Sequence, residues 1–321
     1  MTQEKKNLKN NSEYLISIII VNYNGRKYLG EILDDCIKSI IENDYENYEI
    51  LFVDNGSKDD SIEHIKKNFS HEKRLKIIPL GDNYGTTGAK NRGIRLSKGE
   101  LIYLLNTDIY LKKNTLKKMN KVMQDNKDIG ILSCKLVGPD GKLQTQGESF
   151  YSNSSLLGVL YRSLYERVYL KNIERRDNLN LVDWISGGAL MIRSSLFEQI
   201  GEYDENYFMY SEEVELAYRV KKLGYKVACL SDYETIHYHK LTTRHYSRWQ
   251  SDLVYRNMYL YMIKNFRGNR LAFGLGCYIL GIMHSFALSL IRLDEIELKN
   301  AYSKIRAFSY SKKPPKRPDN K

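Results

Sequence analysis

Two parts of this 321-residue sequence carry acidic side chains at places where they could do chemistry. The first is Asp108, which ends the polar stretch Asn-Thr-Asp at 106–108 directly after the short apolar run 101–105. Such a run is typical of a strand buried on both faces, and polar groups at its carboxyl end lie where open α/β sheets bind ligands. Asp108 is therefore a candidate to hold a metal ion, although an Asp after a strand also often forms a turn or caps a helix.

The second part is the acidic pair Glu212 and Glu213. Ser211 precedes the pair, and apolar residues then recur at helical spacing up to Gly224. This pattern predicts a helix with Ser211 at its N-cap and both carboxylates in its first turn. The helix dipole stabilises carboxylates at that place, which is one sufficient reason for them. The alternative is that one of the two is a general base.

The first half of the chain supplies the elements that must position these groups, because apolar runs of strand length alternate with segments of helical spacing. In chain order, these predicted strands and helices are 15–21, 28–41, 50–53, 62–69, 75–80, 87–97, 101–105 and 129–134. The alternation predicts βαβ units and a mostly parallel sheet whose carboxyl ends lie along one edge. We therefore expect Asn22, Asp54, Asn55 and Asp108 to share that edge.

This edge has the chemistry of a nucleotide pocket. Asp54 or Asn55 could bond to ribose hydroxyls and to a pyrimidine N3–H. The glycine-containing loop 85–93 allows a close approach of the backbone to a ligand, and its Lys90 and Arg92 are either phosphate partners or part of a solvated helix face. The loop is neither a Walker A sequence nor a GxGxxG motif, so alone it is a weak signal.

A second glycine-containing turn is predicted at Gly187 and Gly188, directly before the apolar run 189–192. Paired glycines at the start of a buried strand allow the backbone to pass close to a ligand.

Composition limits the class of protein. With 42% hydrophobic residues the chain can bury one large α/β core with a smaller appendage, and its net charge of +11 favours anionic partners. The charge lies mostly in the C-terminal tail and no nucleic-acid-binding motif accompanies it, so we do not expect nucleic acid as a partner. Four cysteines far apart indicate reduced thiols in a cytosolic compartment. The polar arm 1–13 has no apolar segment, so no secretory signal is expected.

The C-terminal part differs in kind. Residues 271–291 contain no Asp, Glu, Lys or Arg and are long enough to cross a bilayer, which takes about 20 residues. Basic residues flank both ends, so a single span would place the basic tail opposite a cytoplasmic catalytic domain, against the positive-inside tendency. An in-plane or re-entrant helix keeps both flanks on one side, and a helix buried against the catalytic domain is the third alternative. We expect a hydrophobic, membrane-associated helical segment at 267–298 and a basic, disordered tail at 299–321.

Taken in order, these segments resemble the inverting glycosyltransferases of family 2 with the GT-A fold, particularly the rhamnosyltransferase-like branch that builds cell-surface polysaccharides. The resemblance covers about residues 15–265. It rests on six motifs, which are SIIIVNYNG at 17–25, VDNGS at 53–57, NYG to NRG at 83–93, LNTD at 105–108, DW to R at 183–193, and YSEEVEL at 210–216. It implies a GT-A nucleotide-diphospho-sugar transferase domain over 14–266, with a mostly parallel mixed α/β sheet flanked by helices.

The resemblance also implies a donor site. The residues expected to bind the nucleotide sugar are Asn22, Asn24, Asp54, Asn55, Asn91, Arg92, Asn106, Asp108, Gly187 and Gly188. Asp108 matches the last residue of the DxD-type motif, which holds Mn²⁺ or Mg²⁺ against the donor diphosphate. Asn106 stands where some members have an acid, so metal binding would depend mainly on Asp108.

For catalysis, Glu213 aligns with the second acid of the Glu-Asp motif, the base that deprotonates the acceptor hydroxyl. It is one methylene longer than the usual Asp, so Glu212 remains a substitute. His237 resembles a histidine that contributes to the metal or diphosphate in this family, and a packed or surface histidine is the alternative. Arg256 and Asn257 resemble a pair in a late helix of this branch for which the sequence gives no role.

The sequence thus predicts a metal-dependent, inverting glycosyltransferase at the cytoplasmic face of the membrane. It would move a sugar from a UDP- or dTDP-sugar to a hydroxyl of a lipid-linked or polysaccharide acceptor. Two alternatives stay open. One is a polyprenyl-phosphate glycosyltransferase, whose phosphate acceptor needs no base. The other is a non-catalytic binding module with a degenerate GT-A domain.

Overall fold

The structure, a computed structural model, describes residues 13–148, 174–238, 247–292 and 295–309. Within them the strands are β1 Ile16–Asn22, β2 Tyr48–Asp54, β3 Leu75–Pro79, β4 Leu101–Asn106, β5 Ile109–Tyr110, β6 Ile129–Val137, β7 Leu143–Thr145, β8 Glu174–Arg176, β9 Leu179–Val182, β10 Ala189–Arg193 and β11 Lys226–His237. The helices are α1 Gly25–Leu29, α2 Glu31–Ile41, α3 Ser61–Asn68, α4 Gly85–Leu96, α5 Thr115–Asp125, α6 Ser194–Ile200, α7 Glu212–Lys222, α8 Ser247–Asn265, α9 Gly268–Arg292 and α10 Glu295–Ser309.

The strands form one sheet in the order β3-β2-β1-β4-β10-β6-β11-β9-β8. β1 is parallel to β2 and β4, and β2 is parallel to β3, as the alternation of strands and helices predicts. β10 is antiparallel to both of its neighbours, and antiparallel pairs dominate that half of the sheet. The mixed α/β sheet is confirmed. The reversal at β10 brings the turn before this strand to the carboxyl end of β4.

The central strands are buried on both faces, because each face is covered by helices. In β1, Ile18 and Ile20 pack with Leu33 of α2, whereas Ile19 between them packs on the other face with Ala89 of α4. The same alternation continues along β2 and β4. This two-sided burial explains why the strands are continuous apolar runs in the sequence, and why only their ends carry polar residues.

The helix predicted at 28–41 is instead two helices, α1 and α2. The break is Gly30, whose φ is +58° and ψ −122°. An L-residue with a side chain rarely adopts this conformation, so Gly30 marks the break in the chain.

The C-terminal helices α8, α9 and α10 pack on one another and on α7. Their shared core includes Tyr261 of α8, Tyr278 of α9, Ala307 of α10 and Val214 of α7. The prediction that residues 299–309 are disordered is wrong, because they form most of α10. The composition of this segment is basic, but its apolar residues recur at helical spacing. The rest of the predicted tail, from residue 310, and the arm up to residue 12 lie outside the described residues.

Among the described helices, α9 is long and apolar enough to cross a membrane, as judged by its length and composition. In its stretch Gly268–Ala287, 28% is buried, and this part packs on the neighbouring helices, so the three alternatives for α9 stay open.

Candidate active site

A cavity of about 310 Å³ opens at the carboxyl ends of β1 and β4, beside the N-terminal ends of α4 and α7. Eight of the predicted site residues line it, and these are Asn55, Asn106, Asp108, Gly187, Gly188, Glu212, Glu213 and His237. These eight residues come from five separate stretches of the chain, which the fold brings together around one cavity.

The first turn of α7 brings two carboxylates into this cavity. Tyr210 and Ser211 both have positive φ, 70° and 63°, and this sharp turn starts the helix at Glu212. The predicted N-cap position of Ser211 is confirmed, but its side-chain oxygen accepts no capping hydrogen bond. The backbone turn at Tyr210 and Ser211, and not a capping hydrogen bond, therefore fixes the direction in which Glu212 and Glu213 point.

The two carboxylates, Glu212 and Glu213, have different surroundings. Lys90 of α4 donates from Nζ to Oε1 of Glu212 over 3.0 Å, and both side chains are almost fully buried. Oε2 of Glu212 and Oε2 of Glu213 are both buried without a hydrogen-bond partner, so the two carboxylates differ in the ion pair with Lys90, which is made by Glu212. Burial, and then the negative charge of Glu212, raise the pKa of Glu213 well above the ordinary value of a carboxyl group, while Lys90 opposes the rise. Glu213 is therefore the carboxylate that is free to take a proton.

The turn at Gly187 and Gly188 packs closely against side chains of the cavity. A Cβ built on Gly187 would lie 3.3 Å from Nζ of Lys90, and one built on Gly188 would lie 3.6 Å from Nδ2 of Asn106. The backbone N–H of Asn106 also donates to the carbonyl of Gly188 over 2.9 Å. The predicted turn and the strand β10 that follows it are confirmed, and the turn forms a wall of the cavity.

On another wall, Asp108 and His237 face each other. Oδ1 of Asp108 lies 3.4 Å from Nε2 of His237, and both side chains are buried. Gln144 of β7 fixes the histidine ring, because Oε1 of Gln144 lies 2.9 Å from Nδ1 of His237 and Nε2 of Gln144 donates to the His237 carbonyl over 2.8 Å. Sequence reasoning missed Gln144, since no local pattern marks a contact across 93 residues.

These two side chains fit a divalent metal that is shared with a substrate. No group of three or more His, Cys, Asp or Glu side chains that could hold a metal occurs within the described parts of the chain. Mg²⁺ and Mn²⁺ are commonly held by one or two carboxylates together with substrate phosphates, so a closed protein cage is not required. Asp108, with the imidazole of His237 beside it, is such a donor set. The second histidine of this segment, His239, and the threonines Thr242 and Thr243 that follow it lie outside the described residues.

At the end of the cavity next to β2, Asn55 bonds to the start of α4. Its Oδ1 accepts from the N–H of Tyr84 over 2.9 Å, and its Nδ2 donates to the carbonyl of Gly85 over 3.2 Å. Asn55 thus joins the end of β2 to the start of α4 while it lines the cavity.

Three predicted donor-binding residues lie behind this wall. Asp54 accepts from Nδ2 of Asn22 over 2.8 Å and from the N–H of Ser57 over 2.9 Å, while Oδ1 of Asn24 accepts from the N–H of Lys58 over 2.7 Å. None of Asn22, Asn24 and Asp54 is among the residues that line the cavity. Their observed contacts hold the two loops after β1 and β2, and their contact with a donor stays a prediction.

Asn91 and Arg92 also face away from the cavity. Asn91 exchanges two hydrogen bonds of 2.9 Å with the backbone of Tyr203, and Arg92 lies over the ring of Tyr84, 3.6 Å from its centroid. Their predicted contact with base or phosphates is untested. The residue of this loop that does line the cavity with a charge is Lys90.

The structure gives a role to the Arg256 and Asn257 pair. Nδ2 of Asn257 donates to the carbonyls of Met209 and Tyr210 over 2.7 and 2.6 Å, and Arg256 donates to the carbonyl of Asn206 over 2.6 Å. Both side chains are fully buried. They hold the loop that lines the cavity and leads into α7. The apolar and aromatic residues around the pair in the sequence are the signal that could have indicated its burial.

Comparison with known proteins places this arrangement in context. The family model described as Glycosyl transferase family 2 matches residues 17–200, more than half of the chain. The chain is similar to the low-salt glycan biosynthesis hexosyltransferase of Haloferax volcanii, with 30% identity over 250 residues that cover 76% of this chain and 74% of the relative. It is 26% identical over 211 residues to the N-acetylglucosaminyl-diphospho-decaprenol L-rhamnosyltransferase of Mycobacterium tuberculosis, covering 59% of this chain and 66% of the relative.

Among solved structures, the chain is similar to a mannosyltransferase from Pyrobaculum calidifontis in complex with GDP-Man and Mn²⁺. The TM-score is 0.61 at 13% sequence identity, over 96% of this chain and 92% of that chain. At this identity the likeness concerns the fold, and it confirms the GT-A architecture that the sequence motifs predict.

Proposed function

Since the chain belongs to glycosyltransferase family 2, we propose that it moves a sugar from a UDP- or dTDP-sugar to a hydroxyl of a lipid-linked or polysaccharide acceptor. The observation that carries the proposal is the acidic pair Glu212 and Glu213, each with a buried Oε2 that has no hydrogen-bond partner, in the same cavity as Asp108. A buried carboxylate oxygen without a partner costs stability, so its presence in a cavity favours a catalytic use.

In this reaction the ionised Glu213 accepts the proton of the acceptor hydroxyl. The hydroxyl oxygen bonds to the anomeric carbon of the sugar as the bond from that carbon to the donor diphosphate breaks, and the nucleoside diphosphate leaves with the electron pair. This is a single displacement, so the anomeric configuration inverts. Lys90 holds Glu212 to one side, which leaves Glu213 as the base.

Asp108 and His237 would hold Mn²⁺ or Mg²⁺, which when bound neutralises negative charge on the departing diphosphate. Gln144 orients the ring of His237 toward Asp108. The Mn²⁺ in the mannosyltransferase of similar fold agrees with this assignment. Asn55 lies where it could bond to the nucleoside, and the turn at Gly187 leaves room for the sugar.

The acceptor class is favoured by the relatives and by the charges. The mycobacterial relative is named for a rhamnosyl transfer to a lipid-diphosphate-linked sugar, and the haloarchaeal one for glycan biosynthesis. A polyprenyl-phosphate acceptor would bring a phosphate toward two carboxylates that share one lysine, which is electrostatically unfavourable. A degenerate binding module has no use for the unpartnered Glu213.

We also place the reaction at the cytoplasmic face of the membrane. The four cysteines are buried and unpaired, which fits a reducing compartment.

A donor screen tests this proposal. The full chain is assayed with UDP-, dTDP- and GDP-sugars, with and without Mn²⁺ or Mg²⁺, for release of nucleoside diphosphate with water as the acceptor. We expect metal-dependent turnover of one donor, with the released sugar inverted by NMR. Asp108→Asn should abolish the metal dependence, whereas Asp60→Asn, an exposed acid at the start of α3, should not. Absence of binding and turnover for every donor would contradict the proposal.

A further inference from the structure

Helix α9 has two unlike faces. Large apolar side chains stand exposed on one face, and these are Phe273, Ile279, Leu280, Met283 and Leu290, with Leu290 78% and Met283 61% exposed. On a helical wheel they fall within one half of the circumference. The opposite half, with Gly274, Cys277, Tyr278, Gly281 and Ser285, is buried.

Helix α10 carries a matching stripe. Leu298, Tyr302 and Ile305, spaced four and three residues apart, lie on one face and are 37, 51 and 42% exposed. The rings of Tyr302 and Phe286 of α9 meet edge to face with centroids 5.7 Å apart, so the two stripes adjoin. The exposed residues of both helices form what we call the α9–α10 surface.

Helix α10 bonds to the buried face of α9, and to α8, through charged side chains. Nζ of Lys304 in α10 donates to the carbonyl of Gly281 over 3.0 Å and to Oγ of Ser285 over 2.8 Å. Arg306 of α10 pairs with Asp252 of α8 over 2.9 Å. If α9 crossed a bilayer in this packing, these ionic groups would be drawn into the hydrocarbon, which is strongly unfavourable. The packing instead leaves only one side of α9 available to lipid.

The charges around the α9–α10 surface favour anionic lipid. Arg267 and Arg270 are exposed at the N-terminal end of α9 and Lys299 is exposed on α10, and in the sequence the stretch 310–321, outside the described residues, has five Lys or Arg against one Asp. A second copy of this chain would bring the same positive charges to the same surface, which disfavours self-association. Anionic headgroups would be attracted to them while the apolar stripes enter the acyl boundary.

We infer that the α9–α10 surface docks the protein in the plane of an anionic membrane leaflet, without spanning it. The helix α8 that packs beneath this surface also holds the cavity loop through Asn257. Docking would therefore fix the position of the cavity relative to the membrane. The inference does not depend on the identity of the transferred sugar, and its test needs no donor.

Vesicle binding is the first test. The full chain is mixed with phosphatidylcholine vesicles with or without phosphatidylglycerol and sedimented. We expect strong binding only with phosphatidylglycerol, and the double variant Leu280→Glu with Met283→Glu should weaken it at least about tenfold, since each exposed apolar side chain moved into lipid contributes roughly that factor. The control Leu96→Glu, at an exposed leucine at the end of α4, should bind like the wild type.

Three results would overturn the inference. The first is that the wild type binds equally to vesicles with and without phosphatidylglycerol. The second is that the double variant binds as strongly as the wild type. The third is that neither protein binds vesicles, while the wild type is a dimer and the double variant is a monomer. Both substituted side chains are exposed, and an unchanged melting temperature of the double variant establishes that it folds.

Cysteine labelling separates docking from spanning. Asn269→Cys places a thiol at an exposed position in the first turn of α9, Lys299→Cys places one at an exposed position in α10, beyond the C-terminal end of α9, and the native cysteines are buried. With vesicle-bound protein and a membrane-impermeant maleimide, we expect both positions to be labelled without detergent. Protection of one position until detergent is added would show a span and refute docking.

Discussion

Lys90 forms a buried ion pair with Glu212 through Oε1, whereas Glu213, the next carboxylate in the chain, is the member of the pair whose pKa is raised by burial and by Glu212. The cation thus neutralises one member of an adjacent acidic pair and leaves the other to titrate. This asymmetry decides which of two chemically identical side chains we assign as the base.

The pH dependence of turnover should change when this cation is lost. A base must be ionised, so activity rises with pH through the pKa of Glu213, which burial and Glu212 raise and Lys90 lowers. In Lys90→Met that pKa rises further, so the acidic limb of the kcat profile should move to higher pH. The control Lys66→Met, at an exposed lysine on α3, should leave the profile unchanged. A limb that stays in place or moves to lower pH would contradict this coupling.

The same carboxyl group should affect stability. Because the pKa of Glu213 is raised in the folded chain, the folded state keeps this proton where the unfolded state, with a carboxyl pKa of about 4.3, has lost it. Its contribution to the free energy of unfolding therefore falls as pH rises from that value through the raised pKa. Relative to the wild type, Glu213→Gln should gain stability with rising pH. Urea unfolding at several pH values measures this difference, and a difference independent of pH would show that the pKa is not raised.

Gln144 should matter for metal affinity. It orients His237 from behind, and loss of such a partner typically weakens metal binding by about 10- to 100-fold. We expect this loss for Gln144→Ala in titrations of Mn²⁺ followed by electron paramagnetic resonance in the presence of UDP. The exposed Gln199→Ala serves as a control. Unchanged Mn²⁺ affinity in Gln144→Ala would remove His237 from the metal site.

Asn257 should act as a positioning residue. Asn257→Ala leaves the carbonyls of Met209 and Tyr210 without their donor, which should cost about 1–3 kcal/mol of stability. In Asn257→Ala we expect faster hydrogen exchange in the 204–211 loop. We also expect a lower kcat with little change in the KM for the donor. Asn265→Ala, on the same helix, removes only a bond to the carbonyl of Tyr261 and should leave the loop protected. Equal exchange in both variants would contradict the role.

Much of this arrangement could be predicted from sequence, because buried strands carry a strong local signal. The run before Asp108 and the pattern after Ser211 each place an acid at the end of an element, and both acids line the cavity. The partners of these residues carry no such signal. Lys90 meets Glu212 across 122 residues, and Gln144 meets His237 across 93. Only the fold brings them together.

The prediction of disorder failed where composition was given more weight than periodicity, and the predicted contact of Asn91 with the donor stays a prediction. The basic segment after residue 299 suggested disorder, but Leu298, Tyr302 and Ile305 already recur at helical spacing and lie in α10. Asn91 belongs to a motif of the family, yet its amide bonds to the backbone of Tyr203. A motif shows that a residue type is needed, and the structure shows what it touches.

The central claim is that Glu213, and not Glu212, is the base. The most direct measurement compares the turnover of the preferred donor by Glu213→Gln and Glu212→Gln, with Glu198→Gln on the surface of α6 as the control. We predict that Glu213→Gln binds the donor normally but loses at least about a hundredfold in kcat, while Glu212→Gln loses much less. Full activity of Glu213→Gln, or a larger loss in Glu212→Gln, would contradict the assignment.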